Sequence, residues 1–456
     1  MQEVHLVPRP LAALAAVLPA VQAARLRAAT DSAARTLAGR VVWHVNATAT
    51  GGGVAEMLIT LLGYALDAGI KERWLVLDGN AEFFAVTKRL HNAIHGVGDP
   101  DGFGPAEHRA YQQVTDRNAD DMVRMTSPPD LVMLHDPQTA GLVPALQRAG
   151  LRVAWRSHVG RDVPNEATVA AWGFLRPYIE SADLFVFSRL QYAPSWIPAS
   201  RLWVIPPSID PLAPKNRYIA PAAGARILAA AGLLSPSGAD RSPAVQGAPA
   251  PTPDQPVVIQ VSRWDRLKDM PGVMAGFVRA RLPDDVHLML IGPAVTGVTD
   301  DPEGGEVLAE CVTAWQSLPP PARHRVSLVS VPMDDLRLNA TIINAIQRHA
   351  AVVVQKSLAE GFGLTVAEAM WKSRPMLASA VGGIQDQIID HQQGLLVDPF
   401  DLDGFARDLE RMLGDQVLAS RLGHAARRRV REEFLDDRQL IQINELFGAM
   451  LAAGPR

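Results

Sequence analysis

The chain has 456 residues, of which 48% are hydrophobic and 20% charged, and its formal net charge is −4. This length favours two domains, because a single hydrophobic core rarely grows so large. The small negative charge excludes a general attraction to nucleic acid or anionic lipid, and it therefore favours small-molecule partners. The single cysteine, Cys311, excludes an internal disulfide, is a poor metal site and is typical of a reducing, cytoplasmic compartment.

The amino-terminal region begins with an apolar run at residues 11–21 that loosely imitates a secretory signal. This run is too short to span a bilayer, and Glu3 lies where a leader would be basic. The alanine-rich pattern continues to Leu37 with interspersed charges. We therefore predict an amphipathic helical lead-in, with a signal peptide as the less favoured alternative.

Short apolar runs alternate with helical stretches along most of the chain, which predicts parallel α/β structure. In the first half, the predicted strands are 41–45, 74–77, 131–134, 153–155, 184–187 and 202–205. In the second half, they are 257–261, 286–291, 326–331, 351–354, 376–378 and 395–397. The fold class is therefore predicted to be α/β, with two doubly wound, Rossmann-like parallel sheets that face each other across a deep cleft. Ligands of such sheets bind beyond the carboxyl ends of the strands.

The densest group of candidate site residues lies at 355–375. Here a loop with Gly361 and Gly363 separates a predicted strand from a predicted helix, whose first N–H groups favour an anion such as phosphate. Glu360 and Glu368 bracket this anion site, and carboxylates accept hydrogen bonds from sugar hydroxyls. Spacing alone does not separate this interpretation from an ordinary glycine turn with two unrelated glutamates.

Polar residues also follow other predicted strands directly. Those in the first half are Gly51, Gly52 and Gly53 after the first strand, His135 and Asp136 after the strand at 131–134, and Arg156, Ser157, His158, Arg161 and Asp162 after the strand at 153–155. The glycines favour close approach of the backbone to a ligand. A histidine at a strand end is usually a structural hydrogen-bonder, but the neighbouring arginines and acids leave a site role for His158 equally open.

Two cations, Arg263 and Lys268, follow the predicted strand at 257–261. Together they could neutralise a diphosphate leaving group, although ordinary surface charge is the alternative. The chain has no Walker loop, no H-E-x-x-H helix, no G-x-G-x-x-G spacing and no G-x-S-x-G elbow. These absences argue against P-loop nucleotide hydrolysis, zinc proteolysis, dinucleotide binding and serine hydrolysis.

Two motifs together resemble the retaining GT-B glycosyltransferases of family 4, the glycogen-synthase-like group: SRWDRLKD at 262–269 and EGFGLTVAE at 360–368. Further stretches resemble the trehalose glycosyltransferring synthases within that family, and the resemblance covers nearly the whole chain. These stretches are HVNATATGGGVAEML at 44–58, EFFAVTKRLHNAIHG at 82–96, HDPQTAGL at 135–142, WRSHVGRD at 155–162 and PPSIDPLAPKN at 206–216.

The resemblance implies that a nucleotide-glucose, UDP- or ADP-glucose, donates its glucosyl unit to free glucose and gives α,α-trehalose with retention. It implies that Glu360 holds donor sugar hydroxyls, that Glu368 holds the ribose and that Arg263 and Lys268 stabilise the leaving diphosphate. His158 would lie beneath the transferring sugar. The other implied donor contacts are Gly361, Phe362, Gly363, Leu364, Thr365 and Gly53, and the expected acceptor contacts are Gly52, Asp136, Arg156, Arg161 and Asp162.

The expected domains are 1–215, a Pro/Ala-rich linker or insertion at 216–256, and 257–434, with a last helix at about 435–456 packing back on the first domain. No cofactor and no divalent metal are expected, and a homodimer is a reasonable expectation. The alternatives are a retaining trehalose phosphorylase that uses inorganic phosphate, another family 4 glucosyltransferase with a different acceptor, and a non-catalytic sensor of sugar nucleotides.

Overall fold

The computed structural model describes residues 1–50, 52–235, 245–295 and 302–452. Gly51 and residues 236–244 of the predicted linker lie outside the described residues. The chain forms two compact units, one of Met1–Asp210 with Phe434–Arg456 and one of Pro211–Glu433.

Unit 1 contains a seven-stranded sheet in the order β1-β3-β2-β4-β5-β6-β7. Its strands are β1 (Gln2–Val4), β2 (Val42–Asn46), β3 (Glu72–Val76), β4 (Leu131–His135), β5 (Arg152–Ser157), β6 (Leu184–Phe187) and β7 (Leu202–Val204). The six strands predicted from apolar runs are confirmed within a few residues, and their neighbours pair in parallel. The prediction missed β1, an exposed three-residue edge strand that pairs antiparallel with β3 and has no apolar run to mark it.

The helices of unit 1 cover the sheet between these strands. They are α1 (Leu11–Ala16), α2 (Ala20–Thr36), α3 (Gly53–Asp67), α4 (Ala81–Ile94), α5 (Pro105–Met125), α6 (Asp136–Thr139), α7 (Val143–Arg148) and α8 (Glu166–Ile179), with 3₁₀ turns at Ala140–Leu142, Leu190–Tyr192 and Ala199–Arg201. The predicted helical lead-in is confirmed as α1 and α2, which Pro19 separates. Leu14 and Leu26 of these helices are completely buried, so the lead-in is part of the core of unit 1.

Unit 2 contains a second seven-stranded sheet, in the order β14-β13-β12-β9-β10-β11-β8. Its strands are β8 (Val245–Gly247), β9 (Val257–Val261), β10 (His287–Pro293), β11 (Val326–Val331), β12 (Val352–Gln355), β13 (Met376–Ser379) and β14 (Leu395–Val397). Its helices are α9 (Pro221–Ala230), α10 (Met270–Arg279), α11 (Pro302–Gln316), α12 (Pro320–Arg323), α13 (Leu336–His349), α14 (Leu364–Trp371), α15 (Ile384–Gln387), α16 (Leu402–Gly414) and α17 (Gln416–Glu433), with a 3₁₀ turn at Arg266–Lys268. The six predicted strands of this half are confirmed.

Residues 216–256 were expected to form a linker or an insertion. Their described parts, which include α9 and β8, belong to unit 2. Helix α9 packs against α13, and its Leu228 is completely buried. Strand β8 pairs antiparallel with β11 at the sheet edge. There Gly247 has φ 125° and a Cβ on it would lie 2.5 Å from the carbonyl oxygen of Val326, so only glycine fits. Composition indicated flexibility here because small residues resemble a linker even where they allow close packing.

The chain order reverses once in the interior of each parallel sheet. In unit 1 the neighbours β2 and β4 continue to opposite sides, and in unit 2 β12 and β9 do the same. Open α/β sheets bind ligands beyond the carboxyl ends of the strands at such switch points. The residues that follow these four strands include most of the predicted site residues.

The last helix, α18 (Asp436–Ala452), belongs to unit 1 and packs against α2 and α3. At its start, Ser208 Oγ lies 2.6 Å from Asp436 Oδ1 and 2.7 Å from Gln439 Oε1. A hydroxyl has one proton and cannot donate to both oxygens, whereas a protonated Asp436 would donate to Ser208 and satisfy both contacts. Burial raises the pKa of Asp436 to about 7, and the nearby Asp210 acts in the same direction.

The raised pKa of Asp436 predicts that stability falls as pH rises. Between its ordinary pKa of 3.8 and about 7, the folded protein holds a proton on Asp436 that the unfolded chain has lost. Each pKa unit is worth about 1.4 kcal/mol. Asp436→Asn removes this titration, so urea unfolding of the variant between pH 4 and pH 8 should show a flatter profile than the wild type. Asp120→Asn, on the exposed side of α5, is the control, and equal pH profiles for wild type and Asp436→Asn would contradict the assignment.

Candidate active site

The glycine loop at the switch point of unit 2 has a conformation that only glycine adopts without strain. Gly363 has φ 85° and lies at the N-cap of α14. A Cβ at this position would approach Glu360 Cγ to 3.2 Å. The turn aims the first N–H groups of α14, including those of Leu364 and Thr365, out of the helix start, where they carry a partial positive charge. The loop can therefore receive an anion.

Buried polar groups support this loop from behind. Gln387 Nε2 donates to the carbonyl oxygens of Phe362 at 2.5 Å and Gly363 at 3.3 Å. Arg429 in turn donates to the carbonyl oxygens of Gln387 at 2.9 Å and Asp386 at 2.7 Å. The Arg429 guanidinium thereby satisfies the last carbonyls of α15. Neither residue has a local sequence signal, since both act over distances of about 25 and 40 positions along the chain.

Glu360 and Lys268 meet directly in unit 2. Lys268 Nζ lies 2.7 Å from Glu360 Oε2, and Ser357 Oγ donates to the same oxygen at 3.2 Å. Both charged side chains are mostly buried, at 14% and 12% exposure, so solvent screens their attraction only in part. Arg263 lies apart from this pair on the surface, 56% exposed, with Asp265 3.3 Å away. The two predicted cations thus occupy different environments.

The position of Lys268 is fixed by the backbone around it. Gln260 of β9 donates to the Lys268 carbonyl oxygen at 2.7 Å and accepts from the N–H of Lys356 at 2.8 Å, which ties β9 to β12. The next residue, Asp269, has φ 45° and caps α10 through the N–H of Gly272. Its carboxylate also forms an ion pair with the buried Lys356. The chain therefore turns sharply after Lys268, which leaves the ammonium group directed at Glu360.

Glu368, a little more than one turn into α14, is enclosed by lysines. Its side chain is 4% exposed, and its Oε1 lies 3.7 Å from Lys215 Nζ. Lys372 Nζ donates to the Glu368 carbonyl oxygen at 3.0 Å and to Asn216 Oδ1 at 3.2 Å. Burial lowers the pKa of Lys372 to about 7, with Glu368 opposing the shift. Its predicted contact with a ribose stays a prediction.

In unit 1, glycine and aspartate residues follow the strands at the switch point. Gly52 has φ 152° and precedes Gly53, the first residue of α3. Asp136, after β4, has φ 65°, and its Oδ1 accepts from the N–H of His158 at 2.7 Å. Burial raises the pKa of Asp136 to about 7. Asp136 and His158 therefore lie together at the carboxyl edge of this sheet.

The three other predicted acceptor residues have structural contacts. Arg156 is completely buried, and its Nη2 donates to the carbonyl oxygen of Ile205 at 3.0 Å. The expectation that it contacts the acceptor stays a prediction. Arg161 donates to the carbonyl oxygens of His95 at 3.0 Å and Val163 at 2.8 Å, and Asp162 pairs with Arg189 at 2.8 Å.

Across the described ranges, no group of three or more His, Cys, Asp or Glu side chains is arranged to hold a metal ion. In the same part of the chain, none of the helices combines the length and apolar character needed to cross a bilayer.

Comparison with known families assigns each half of the chain. Residues 44–194 match the family model described as the N-terminal domain of trehalose synthase, and residues 246–429 match that of glycosyl transferases group 1. The trehalose synthase of Rubrobacter xylanophilus is 35% identical over 428 residues, which is 91% of this chain and 92% of the relative. The chain belongs to the trehalose synthase family. It is a glycosyltransferase of trehalose metabolism.

Other relatives include a second trehalose synthase and a trehalose phosphorylase. The trehalose synthase of Thermococcus litoralis is 32% identical over 89% of this chain and 90% of its own. The trehalose phosphorylase of Pleurotus pulmonarius is 26% identical over 85% of this chain and 54% of its own.

Solved structures with low identity share the fold. They include a sucrose-phosphate synthase from Thermosynechococcus elongatus, with a TM-score of 0.65, 19% identity and coverage of 91% of this chain and 100% of that one. An α,α-trehalose-phosphate synthase (UDP-forming) from Burkholderia xenovorans has a TM-score of 0.64, 15% identity and coverage of 91% and 100%. The predicted α/β fold of the GT-B class is confirmed.

The geometry of the glycine loop predicts the effect of a single methyl group. Gly363→Ala places a Cβ in the left-handed region, at a cost of about 1–2 kcal/mol, and presses it against Glu360. We expect lower stability of unit 2 and weaker binding of a phosphate-bearing ligand, measured by thermal unfolding and calorimetric titration. Gly305→Ala is the control, because its Cβ would meet nothing within 4 Å and alanine favours the α11 helix. Equal binding by Gly363→Ala and wild type would show that the loop does not hold the anion.

Proposed function

We propose that the protein transfers glucose from a nucleotide-glucose to free glucose and forms α,α-trehalose with retention of anomeric configuration. The observation that carries this proposal is the pairing of Lys268 with Glu360 beside the start of α14, at the switch point of unit 2. This arrangement places a cation, a carboxylate and a helix start within one loop cluster. A glycosyl diphosphate needs these three groups for its phosphates and its sugar hydroxyls.

On the donor side, each group is proposed to stabilise a charge that develops during transfer. Cleavage of the glycosyl–phosphate bond proceeds through an oxocarbenium-like state, so negative charge grows on the leaving oxygen. Lys268, the exposed Arg263 and the N–H groups of Gly363, Leu364 and Thr365 would stabilise it. Because an ammonium group has three donors, Lys268 can bond a phosphate oxygen while it keeps Glu360 in place.

Glu360 is proposed to accept hydrogen bonds from hydroxyls of the donor sugar. Its carboxylate is held by Lys268 and Ser357 and therefore has one orientation before ligand arrives. Glu368 is proposed to bind the ribose, with Gly361, Phe362 and Gly53 as further donor contacts. In this scheme the cations neutralise the diphosphate, so a divalent metal is not required.

On the acceptor side, we propose that glucose binds at the carboxyl edge of the unit 1 sheet near Gly52, Asp136 and His158, with Arg161 and Asp162 on the neighbouring loop. Retention would follow from attack on the same face that the leaving group departs from. The departing phosphate then accepts the proton of the attacking hydroxyl, so the scheme balances without a protein nucleophile. We also propose that the protein is a cytoplasmic homodimer. Its donor is proposed to be UDP-glucose or ADP-glucose.

A product assay tests the reaction. The protein is incubated with glucose and a panel of nucleotide-glucoses, and the product is identified by anomeric NMR. We expect α,α-trehalose, a rate that EDTA does not change, and nucleotide-glucose formed in reverse from trehalose and nucleoside diphosphate. Release of glucose 1-phosphate from trehalose only with inorganic phosphate would replace this proposal by the phosphorylase. Binding of nucleotide without turnover would favour the sensor.

Substitution of Glu360 separates its role in transfer from nucleotide binding. Glu360→Gln removes the charge that Lys268 and the donor hydroxyls share, so kcat should fall by about two orders of magnitude or more, which is about 2.7 kcal/mol. The Kd for the nucleoside diphosphate should change little, as measured by calorimetry. The matched control is Glu310→Gln, whose carboxylate forms an exposed ion pair with Arg266. Unchanged kcat in Glu360→Gln would contradict the assigned role.

A further inference from the structure

Four polar side chains form a connected line across unit 1. Glu72 Oε2 lies 3.3 Å from His44 Nε2, His44 Nδ1 lies 3.0 Å from His135 Nε2, and His135 Nδ1 lies 3.1 Å from His158 Nε2. We call Glu72, His44, His135 and His158 the histidine chain. Its members come from the adjacent strands β3, β2, β4 and the end of β5. The line therefore runs from the interior of the sheet to the carboxyl edge where the acceptor site is proposed.

The histidine chain lies in apolar surroundings. His44 and His135 are each 1% exposed and Glu72 is 6% exposed. Side chains of α3 and α18, such as Leu58, Leu62 and Leu440, line the space around them. Burial of polar and charged groups costs stability, and well-packed apolar residues in the same positions are often at least as stable. Packing alone therefore does not explain the histidine chain.

His135 and His158, the two members of the histidine chain nearest the carboxyl edge of the sheet, are neutral. Burial lowers the pKa of His135 well below its ordinary value, and the neighbouring His44, His158 and Arg156 act in the same direction. Burial and Arg156 also lower the pKa of His158. A neutral imidazole carries one proton, on either Nδ1 or Nε2, and the partner of one nitrogen decides the state of the other. The histidine chain can therefore control which nitrogen carries the proton in the His135 and His158 rings.

The tautomers follow from Glu72, because a carboxylate only accepts hydrogen bonds. His44 Nε2 and Glu72 Oε2 lie 3.3 Å apart, and neither atom makes a hydrogen bond within the described residues. The carboxylate therefore acts on this nitrogen through its charge, which favours the tautomer that carries the proton on His44 Nε2. In a neutral His44 with its proton on Nε2, Nδ1 carries a lone pair and accepts from His135 Nε2–H, and His135 Nδ1 accepts in turn from His158 Nε2–H. This sequence leaves His158 Nδ1 with a lone pair.

We propose that Glu72, acting through His44 and His135, fixes the tautomer of His158 so that its Nδ1 accepts a hydrogen bond from a hydroxyl of the bound sugar. The identity of that sugar rests on the proposed function. The His158 ring is half-buried, and its Nδ1 has no hydrogen-bond donor among the side chains and N–H groups that the structure describes. Glu72, His44 and His135 are positioning residues, since they act through His158. With the opposite tautomer, His158 would present an N–H, and a hydroxyl oxygen would have to accept from it.

The test reads the tautomer directly by ¹⁵N NMR of the imidazole nitrogens in full-length protein labelled at histidine. His158→Asn, His135→Asn and His44→Asn assign the signals. In the wild type, we expect a protonated Nε2 and a bare Nδ1 on His158. In Glu72→Leu, the acceptor is lost, and His158 should show a substantial population with a protonated Nδ1. Glu72→Gln keeps an oxygen acceptor and should retain the wild-type tautomer.

Kinetics and internal controls separate this role from a structural one. Glu72→Leu should lower kcat by about tenfold or more, the effect seen when outer partners of ligand-binding histidines are removed, and Glu72→Gln should recover most of it. The signals of His324, whose Nδ1 lies 2.7 Å from the Pro320 carbonyl oxygen, should not change in any variant. Glu180→Leu, at an exposed ion pair with Arg176, is the matched substitution control.

Two results would overturn the proposal. One is a protonated Nδ1 on His158 in the wild type, which needs no variant to fold. The other is an unchanged His158 tautomer in folded Glu72→Leu. Failure of the wild type to form trehalose would overturn the proposed function and the sugar assignment, while the tautomer measurement would still decide whether Glu72 controls His158.

Discussion

The parallel pairing of the strands is the constraint on which the candidate site residues of each unit depend. Parallel strands need crossover helices, so the loops that lead from the parallel strands of a unit into the following helices lie at the same edge of its sheet. The reversal of chain order then leaves a crevice beyond β2 and β4 in unit 1, and beyond β12 and β9 in unit 2. Residues far apart in sequence, such as Lys268 and Glu360, meet because their strands are neighbours. The order of the strands in the sheet therefore decides which residues meet at the site.

Most of the strands were predictable because they are short apolar runs that are buried on both faces of a sheet. The glycine loop was predictable for a related reason, since Gly363 and the helix after it are local in sequence. The edge strands β1 and β8 were missed because three half-exposed residues have no such pattern. The burial of Arg156 was not predictable, because the sequence does not show whether an arginine in a strand faces solvent or the core. His44 and Glu72 carried no signal at all, since their meaning comes from side chains on neighbouring strands.

Buried polar groups hold the candidate site residues of unit 2 in place. Gln387 satisfies the carbonyl oxygens of the glycine loop, and Gln260 satisfies that of Lys268. A buried amide has both donors and an acceptor, so it can bridge two backbone segments that would otherwise leave polar atoms unpaired. Loss of such a residue costs more than one hydrogen bond, because its partners remain buried. The backbone of these loops is therefore held by the buried side chains of Gln260 and Gln387.

The charges around the glycine loop are already paired before any ligand binds. Lys268 faces Glu360, Lys356 faces Asp269, and Lys215 approaches Glu368. A diphosphate adds negative charge to this balanced set, so it must draw on groups with unused donors: the ammonium N–H groups of Lys268 and the helix start. The sugar attached to it brings hydroxyl donors, which the carboxylates can accept. A ligand that carries phosphate and sugar together satisfies both ends of the Lys268–Glu360 pair, whereas phosphate or sugar alone leaves one end as it was. If the proposed donor binds here, selectivity for a glycosyl phosphate over its separate parts would follow from a pair of opposite charges held 2.7 Å apart.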